Sequence, residues 1–154
     1  MEAIIASAIA VLGTLLGSGL TLAFQRRTTD RTHAFTRDER LRQERLDAYA
    51  TYAGTLLNYR RSLIHLWFCL HEQPPPEDPE TVRPRTYDLR SEAQEALFRV
   101  QMLTDDDTLS RTAEDVLAAV TKLYKTDTRP ELDTRRRETR DAISALVRAA
   151  KRHL

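Results

Sequence analysis

The chain has 154 residues, and its 24 lysines and arginines nearly balance its 23 aspartates and glutamates, for a net charge of +1. Charged residues make up 31% of the sequence and aromatic residues 6%, with four glycines. This composition favours an all-α fold over a β-sandwich or barrel, which needs more turn residues. The single cysteine, Cys69, excludes an internal disulfide framework.

An uncharged apolar run opens the chain, from Ala3 to Phe24. As an α-helix this run would be roughly 33 Å long, which matches the hydrocarbon thickness of a bilayer. Glu2 precedes the run without any lysine or arginine, and the run is too long for the hydrophobic region of a cleaved signal peptide. We therefore predict that residues 1–24 form a transmembrane helix.

Arginines follow this run closely, whereas no basic side chain precedes it. The charge bias predicts that the N-terminus lies outside the cell membrane and that the C-terminal part is cytoplasmic. We also expect Arg26, Arg27 and Arg31 to contact anionic lipid headgroups at the inner surface.

Small residues recur in the run at helical spacing and include a GxxxG pair. The stripe comprises Ala3, Ala6, Ala10, Gly13 and Gly17. Three interpretations remain open: chance alignment of residues common in membrane helices, close packing of two helices, or, with a neighbouring line of serines and threonines, a pore lined by hydroxyl groups. The prediction adopted is a homo-oligomer that associates through Ala6, Ala10, Gly13 and Gly17.

Residues 25–45 are polar and lack proline and glycine, so they are predicted to form a stalk that continues the membrane helix. One alternative is a break followed by a new helix. The segment Thr36-Arg-Asp-Glu39 has the form of a capping box, which would start such a helix.

Residues 46–154 are predicted to form a cytoplasmic bundle of four helices. Apolar residues from Tyr49 to Leu70 alternate at spacings of three and four, which indicates a long amphipathic helix. Prolines 74, 75, 76 and 79 predict a surface loop over residues 71–86, because proline lacks the backbone donor that a helix interior requires. A second helix is predicted over residues 87–103.

Capping signals mark the other two helices. Asp107 or Thr108 is predicted to cap the third helix, and Thr128 begins a capping box with Pro130 in the first turn of the fourth. Four amphipathic helices, with two of their three connections short, predict an antiparallel up-and-down arrangement. The C-terminal basic residues would then lie at the end of the bundle nearest the membrane.

Two groups of side chains raise the question of chemistry. His65, Cys69 and His71 lie near the end of the first bundle helix, but a closed zinc site needs about four ligands and no paired motif is present, so no metal is predicted. A nucleophilic Cys69 would need an orienting acid and an oxyanion turn, which the sequence does not show. Three tyrosines on the stripe are predicted to be core residues rather than an aromatic cage: Tyr49, Tyr52 and Tyr59.

Two charged segments have ordinary structural explanations. Arginines 135, 136, 137 and 140 alternate with acidic residues, which predicts a solvated face with intrahelical ion pairs and no nucleic-acid binding. Asp105, Asp106 and Asp107 lack the spaced ligands of a calcium loop and are predicted to start a helix.

Two further segments are characteristic of the sequence: the flank QRR after the apolar run, and the stalk RQERLDAYATY at residues 42–52. The chain resembles the small single-pass membrane proteins that are frequent in GC-rich bacteria, with an arginine-rich stalk and a helical cytoplasmic domain. The resemblance implies this architecture and no active site.

The sequence therefore predicts a non-enzymatic, membrane-anchored interaction or scaffold protein without a cofactor. Its expected partners are membrane lipids, further copies of itself, and another membrane or cytoplasmic protein. The alternative function is an oligomeric membrane-active protein, such as a small channel, a toxin or a defence effector. An enzyme would require a polar pocket inside the bundle.

Overall fold

The computed structural model describes the backbone of residues 2–154 and the side chains of residues 35–154. The chain divides into two compact units, residues 1–41 and residues 42–154. Four α-helices and two short 3₁₀ helices follow one another, and residues 2–154 contain no strand, which confirms the predicted all-α fold. The elements are α1 (Glu2–His71), α2 (Pro79–Leu103), α3 (Asp107–Thr121), a 3₁₀ turn (Lys122–Lys125), α4 (Arg129–Ala150) and a final 3₁₀ turn (Lys151–His153).

Within the part of the chain whose side chains are described, no helix is long and apolar enough to cross a membrane. The predicted transmembrane segment, residues 1–24, lies outside that part. So do the predicted stripe of Ala6, Ala10, Gly13 and Gly17 and the predicted headgroup contacts of Arg26, Arg27 and Arg31. At Thr36, where a new helix was the alternative, α1 contains no helix start.

The proline-rich loop is shorter than predicted. We expected a loop over residues 71–86, but α2 begins at Pro79. Asp78 caps this helix by accepting a 3.1 Å hydrogen bond from the backbone N–H of Glu80. Pro79 occupies the first turn, where the missing N–H has no intrahelical partner in any case, and Pro84 removes one backbone bond near the start of the helix. The predicted second helix, residues 87–103, was therefore too short at its N-terminus.

The other two helix starts follow their predicted caps closely. Asp106, one residue before the predicted position, accepts hydrogen bonds from the N–H groups of Thr108 at 2.7 Å and Leu109 at 2.9 Å. Thr128 caps α4 as predicted, since its side chain accepts from the N–H of Glu131 at 3.4 Å. Each cap satisfies donors that a helix N-terminus leaves without an intrahelical partner.

Side-chain pairs show that α1 and α2 run in opposite directions. Asp47 and Arg99 form an ion pair at 2.9 Å, and the hydroxyl groups of Ser62 and Thr86 lie 2.7 Å apart. Residue numbers therefore rise along α1 as they fall along α2.

The same comparison orients α4 and α3. Arg60 contacts Thr139, whereas Glu72 pairs with Arg129, so α4 is antiparallel to α1. Tyr52 bonds to Ala113 and Tyr59 to Thr121, so α3 is parallel to α1. Residues 42–154 thus form the predicted up-and-down bundle, in which α2 and α4 share one direction.

Each of the four α-helices contributes residues to the core of this bundle. Leu56, Ala93, Ala113 and Leu132 are each 0% exposed and come from α1, α2, α3 and α4 respectively. Because a helix with one apolar stripe cannot bury that stripe alone, mutual packing of the four stripes stabilises the domain.

Candidate functional site

Arg60 lies on the face shared by α1 and α4, where hydrogen bonds hold its guanidinium group. Its Nε donates a 3.0 Å hydrogen bond to Oγ1 of Thr139, and its Nη2 donates at 2.6 Å to the backbone carbonyl of Arg136. Partial burial, followed by repulsion from Arg136 and Arg140, lowers the pKa of Arg60. The structure thus holds one guanidinium in place among others of the same sign.

The neighbouring arginines of α4 are only partly neutralised. Arg135 pairs with Glu131, and Asp133 accepts from both Arg129 and Arg136, which confirms the predicted intrahelical pairs. No carboxylate of the described residues lies within ion-pair distance of Arg60, Arg61, Arg137 or Arg140. We call Arg60, Arg61, Arg136, Arg137 and Arg140 the arginine cluster.

Two surface cavities lie at the arginine cluster. One, of about 350 Å³, is lined by Arg60, Arg61 and Arg136 together with Leu57 and Ile64. The other, of about 260 Å³, is lined by four arginines and Asp133. Since one carboxylate faces several guanidinium groups, this surface attracts anionic groups.

An apolar cleft of about 360 Å³ opens on the same face, nearer the start of the bundle. Leu46 and Val147 at the cleft are 44% and 48% exposed. The α1 and α4 residues that line it include Leu46, Ala50, Ala53, Val147 and Ala150, and the C-terminal Leu154 joins them. Exposed apolar surface next to unpaired charge is typical of a protein contact.

Polar side chains link the helices at the end of the bundle where the apolar cleft lies. Arg45 donates to the carbonyl of Leu103 at 2.7 Å and pairs with Asp105 at 3.2 Å, and His153 lies 3.5 Å from Asp106. Backbone hydrogen bonds, first from Leu109 and then from Thr108, lower the pKa of Asp106. Asp106 thus caps a helix, as predicted for this acidic segment, and the contacts of Asp105 and Asp106 with other parts of the bundle were not predicted.

The predicted His65, Cys69 and His71 group is split in two. His65 Nε2 lies 3.1 Å from Oε2 of Glu77 and 3.6 Å from the sulfur of Cys69. The ring of His71 instead stacks on Trp67 with centroids 4.2 Å apart, and its Nδ1 donates to the Trp67 carbonyl at 2.9 Å. Among the side chains that the structure describes, no three or more metal-binding residues are grouped for an ion.

The three tyrosines are core residues, as predicted. The Tyr52 hydroxyl donates at 2.8 Å to the carbonyl of Ala113, and burial raises the pKa of Tyr52 well above its usual range. Tyr59 reaches Thr121 at 3.5 Å. Tyr49 is 8% exposed, and its buried hydroxyl has no hydrogen-bond partner among the described residues.

The role of Arg60 was not predicted from the sequence. Arg60 lies 76 residues before Arg136, its hydrogen-bond partner on α4, and follows the core residue Tyr59. The available signal was its position beside the apolar stripe, where a long side chain can reach the next helix.

A protein-family model described as KilB plasmid transfer protein matches residues 46–154. The chain belongs to this family. No curated protein and no solved structure matches the chain. The KilB match covers the predicted bundle and includes the arginine cluster, the apolar cleft and the three helix caps described above.

Proposed function

We propose that this chain is a membrane-anchored, non-enzymatic component of plasmid transfer, with its KilB-family bundle in the cytoplasm. The family match over residues 46–154 carries the proposal, because plasmid transfer is the activity named in the family description. The bundle contributes surfaces for binding other proteins.

The anchor is supported by the amino-acid sequence. Residues 3–24 carry no formal charge, and Arg26 and Arg27 follow immediately. A run of this length suits a bilayer, and arginines on one flank favour retention of that flank in the cytoplasm. An anchor of this kind would place the bundle at the inner surface of the cell membrane, with the N-terminus outside.

Self-association is supported by the stripe of Ala6, Ala10, Gly13 and Gly17. Small side chains allow two helix backbones to approach closely in lipid, where apolar contact with a neighbouring helix offers no advantage over contact with lipid. Replacing both Gly13 and Gly17 with leucine should therefore reduce the oligomer recovered by crosslinking in bilayers. Leu12→Ala is the matched control and should change it less.

An interaction role for the bundle is supported by its surface. The arginine cluster leaves four guanidinium groups without a carboxylate among the described residues, and the apolar cleft lies on the same face. Complementary charge speeds encounter and selects partners, while apolar contact supplies most of the affinity.

Deletion and topology measurements test this proposal together. Donor cells that lack the chain should transfer their plasmid poorly, and the intact chain supplied in trans should restore transfer. A protease-sensitive tag after Leu154 should be cut only after the cells are opened. Normal transfer without the chain, or a tag cut on intact cells, would contradict the proposal, and ion flux through liposomes would favour a channel instead.

A further inference from the structure

We infer that the arginine cluster and apolar cleft of one bundle bind the outer face of α2 in a second copy of this chain. This contact is separate from the proposed contact between membrane segments, and it does not depend on plasmid transfer. Its support is that α2 presents three exposed carboxylates without an ion-pair partner among the described residues, followed by exposed apolar side chains in a matching order.

The first support is unpaired charge on both surfaces. Asp88, Glu92 and Glu95 are exposed on α2, and no described lysine, arginine or histidine lies within ion-pair distance of them. The arginine cluster has the converse arrangement on α1 and α4. Two copies can therefore neutralise each other through charges that neither copy pairs internally.

The second support is exposed apolar surface on α2. Phe98 is 52% exposed and Met102 is 78% exposed, one helical turn apart. Both follow the three acidic residues in the chain. A phenyl ring and a flexible thioether suit an apolar cleft of about 360 Å³.

The third support is the spacing along the helices. From Asp88 to Phe98 the rise is about 15 Å, and from Arg137 to Val147 it is also about 15 Å, at 1.5 Å per residue. In both helices the charged residues come before the apolar residues along the chain. Because α2 and α4 point the same way within a bundle, the two surfaces match when the two copies have the same orientation.

This orientation has a consequence for assembly. Each copy offers an α1/α4 face and an α2 face, so one contact leaves a free surface of each kind. The contact is head-to-tail and can continue into a ring or a row of bundles. The bundles of copies related in this way also point in the same direction, as expected of chains anchored in one membrane.

Disulfide crosslinking of the full chain in liposomes tests the contact. Two differently tagged copies would carry Cys69→Ala to remove the native thiol, and Gly13→Leu with Gly17→Leu to weaken the contact between membrane segments. One copy carries Glu92→Cys and the other Arg140→Cys. The matched control replaces Glu92→Cys with Asp115→Cys, which changes an exposed acid on α3. We expect a several-fold higher yield of mixed dimer from Glu92→Cys than from Asp115→Cys.

A charge exchange in the same membrane-segment background provides a second test. Glu92→Arg and Arg140→Glu should each lower the average mass measured by sedimentation in detergent, and the chain with both changes should recover it. Circular dichroism checks that all three variants keep their helix content. Equal crosslinking of Glu92→Cys and Asp115→Cys, or a double variant as dissociated as the single ones, would overturn the inference without bearing on plasmid transfer.

Discussion

Arg60 of α1 donates a hydrogen bond to Thr139 of α4, although 79 residues separate them in the chain. The contact fixes a guanidinium at the surface and links the first and last helices of the bundle. Thr139 is only 2% exposed, so the charged head of Arg60 reaches inward to a buried hydroxyl. The Arg60 side chain therefore holds α4 against α1 and also contributes to the positive charge of the surface.

Replacing Arg60 with alanine should lower the free energy of unfolding by about 1 kcal/mol, because its hydrogen bonds to Thr139 and to the Arg136 carbonyl are lost. Urea unfolding followed by the fluorescence of Trp67 measures the change. Arg61→Ala is the control, since Arg61 is exposed and contacts Asn58 at 3.5 Å. Equal losses in the two variants would show that the Arg60 contacts add no stability.

Tyr52→Phe should also destabilise the bundle by about 1 kcal/mol, because the hydroxyl donates a buried hydrogen bond to Ala113. Tyr87→Phe is the matched control and should have little effect, since Tyr87 is 60% exposed. The two variants are compared by their denaturant midpoints at neutral pH. A midpoint for Tyr52→Phe equal to that of Tyr87→Phe would contradict the assigned role.

Alkaline pH should weaken the bundle through the same residue. Burial, followed by the negative charge of Glu114, raises the pKa of Tyr52, so the folded state keeps a proton that the unfolded state releases near pH 10. The stabilising effect is present below pH 10 and is lost as pH rises from there toward the folded-state pKa. The free energy of unfolding should fall more steeply in wild type than in Tyr52→Phe between about pH 10 and pH 11. If the free energy of unfolding falls equally with pH in the two proteins, Tyr52 is not the source of the pH dependence.

Gly54→Ala should stabilise the chain by about 0.5–1 kcal/mol, because glycine loses more backbone entropy than alanine in a helix. A Cβ atom at Gly54 would meet nothing within 4 Å, so the substitution introduces no clash. The control is Ala118→Gly at an exposed position of α3, which should lower stability by a similar amount. Thermal unfolding should show a higher midpoint than wild type for Gly54→Ala and a lower one for Ala118→Gly. A midpoint below wild type for Gly54→Ala would contradict the prediction.

Local signals were sufficient to predict much of the bundle. The capping box at Thr128 and the spacing of three and four from Tyr49 onward each depend on neighbouring residues, so they predicted the start of α4 and the buried face of α1. The predicted start of α2 is wrong, because a run of prolines is typical of a loop whereas Pro79 stands in a first turn that tolerates it.

The surface that forms between helices was harder to predict. The arginine cluster requires Arg60 to lie beside α4, and the apolar cleft requires Leu46 to lie near Val147. Such pairings depend on the direction and rotation of whole helices, which a single sequence does not specify at the level of individual side chains. The basic run of α4 predicted only a solvated face with intrahelical ion pairs, because acidic residues alternate with its arginines.

Plasmid transfer from donor to recipient cells tests the anchored role of the chain most directly. Donors would carry either the wild-type chain, Leu12→Ala, or Leu12→Arg with Leu15→Arg, which should cost about 2.5–3.5 kcal/mol per arginine at the middle of a membrane helix. We expect Leu12→Ala to transfer normally and the double arginine variant to fall to the frequency of donors without the chain, while its bundle accumulates unanchored. Normal transfer by an unanchored double arginine variant would contradict the account.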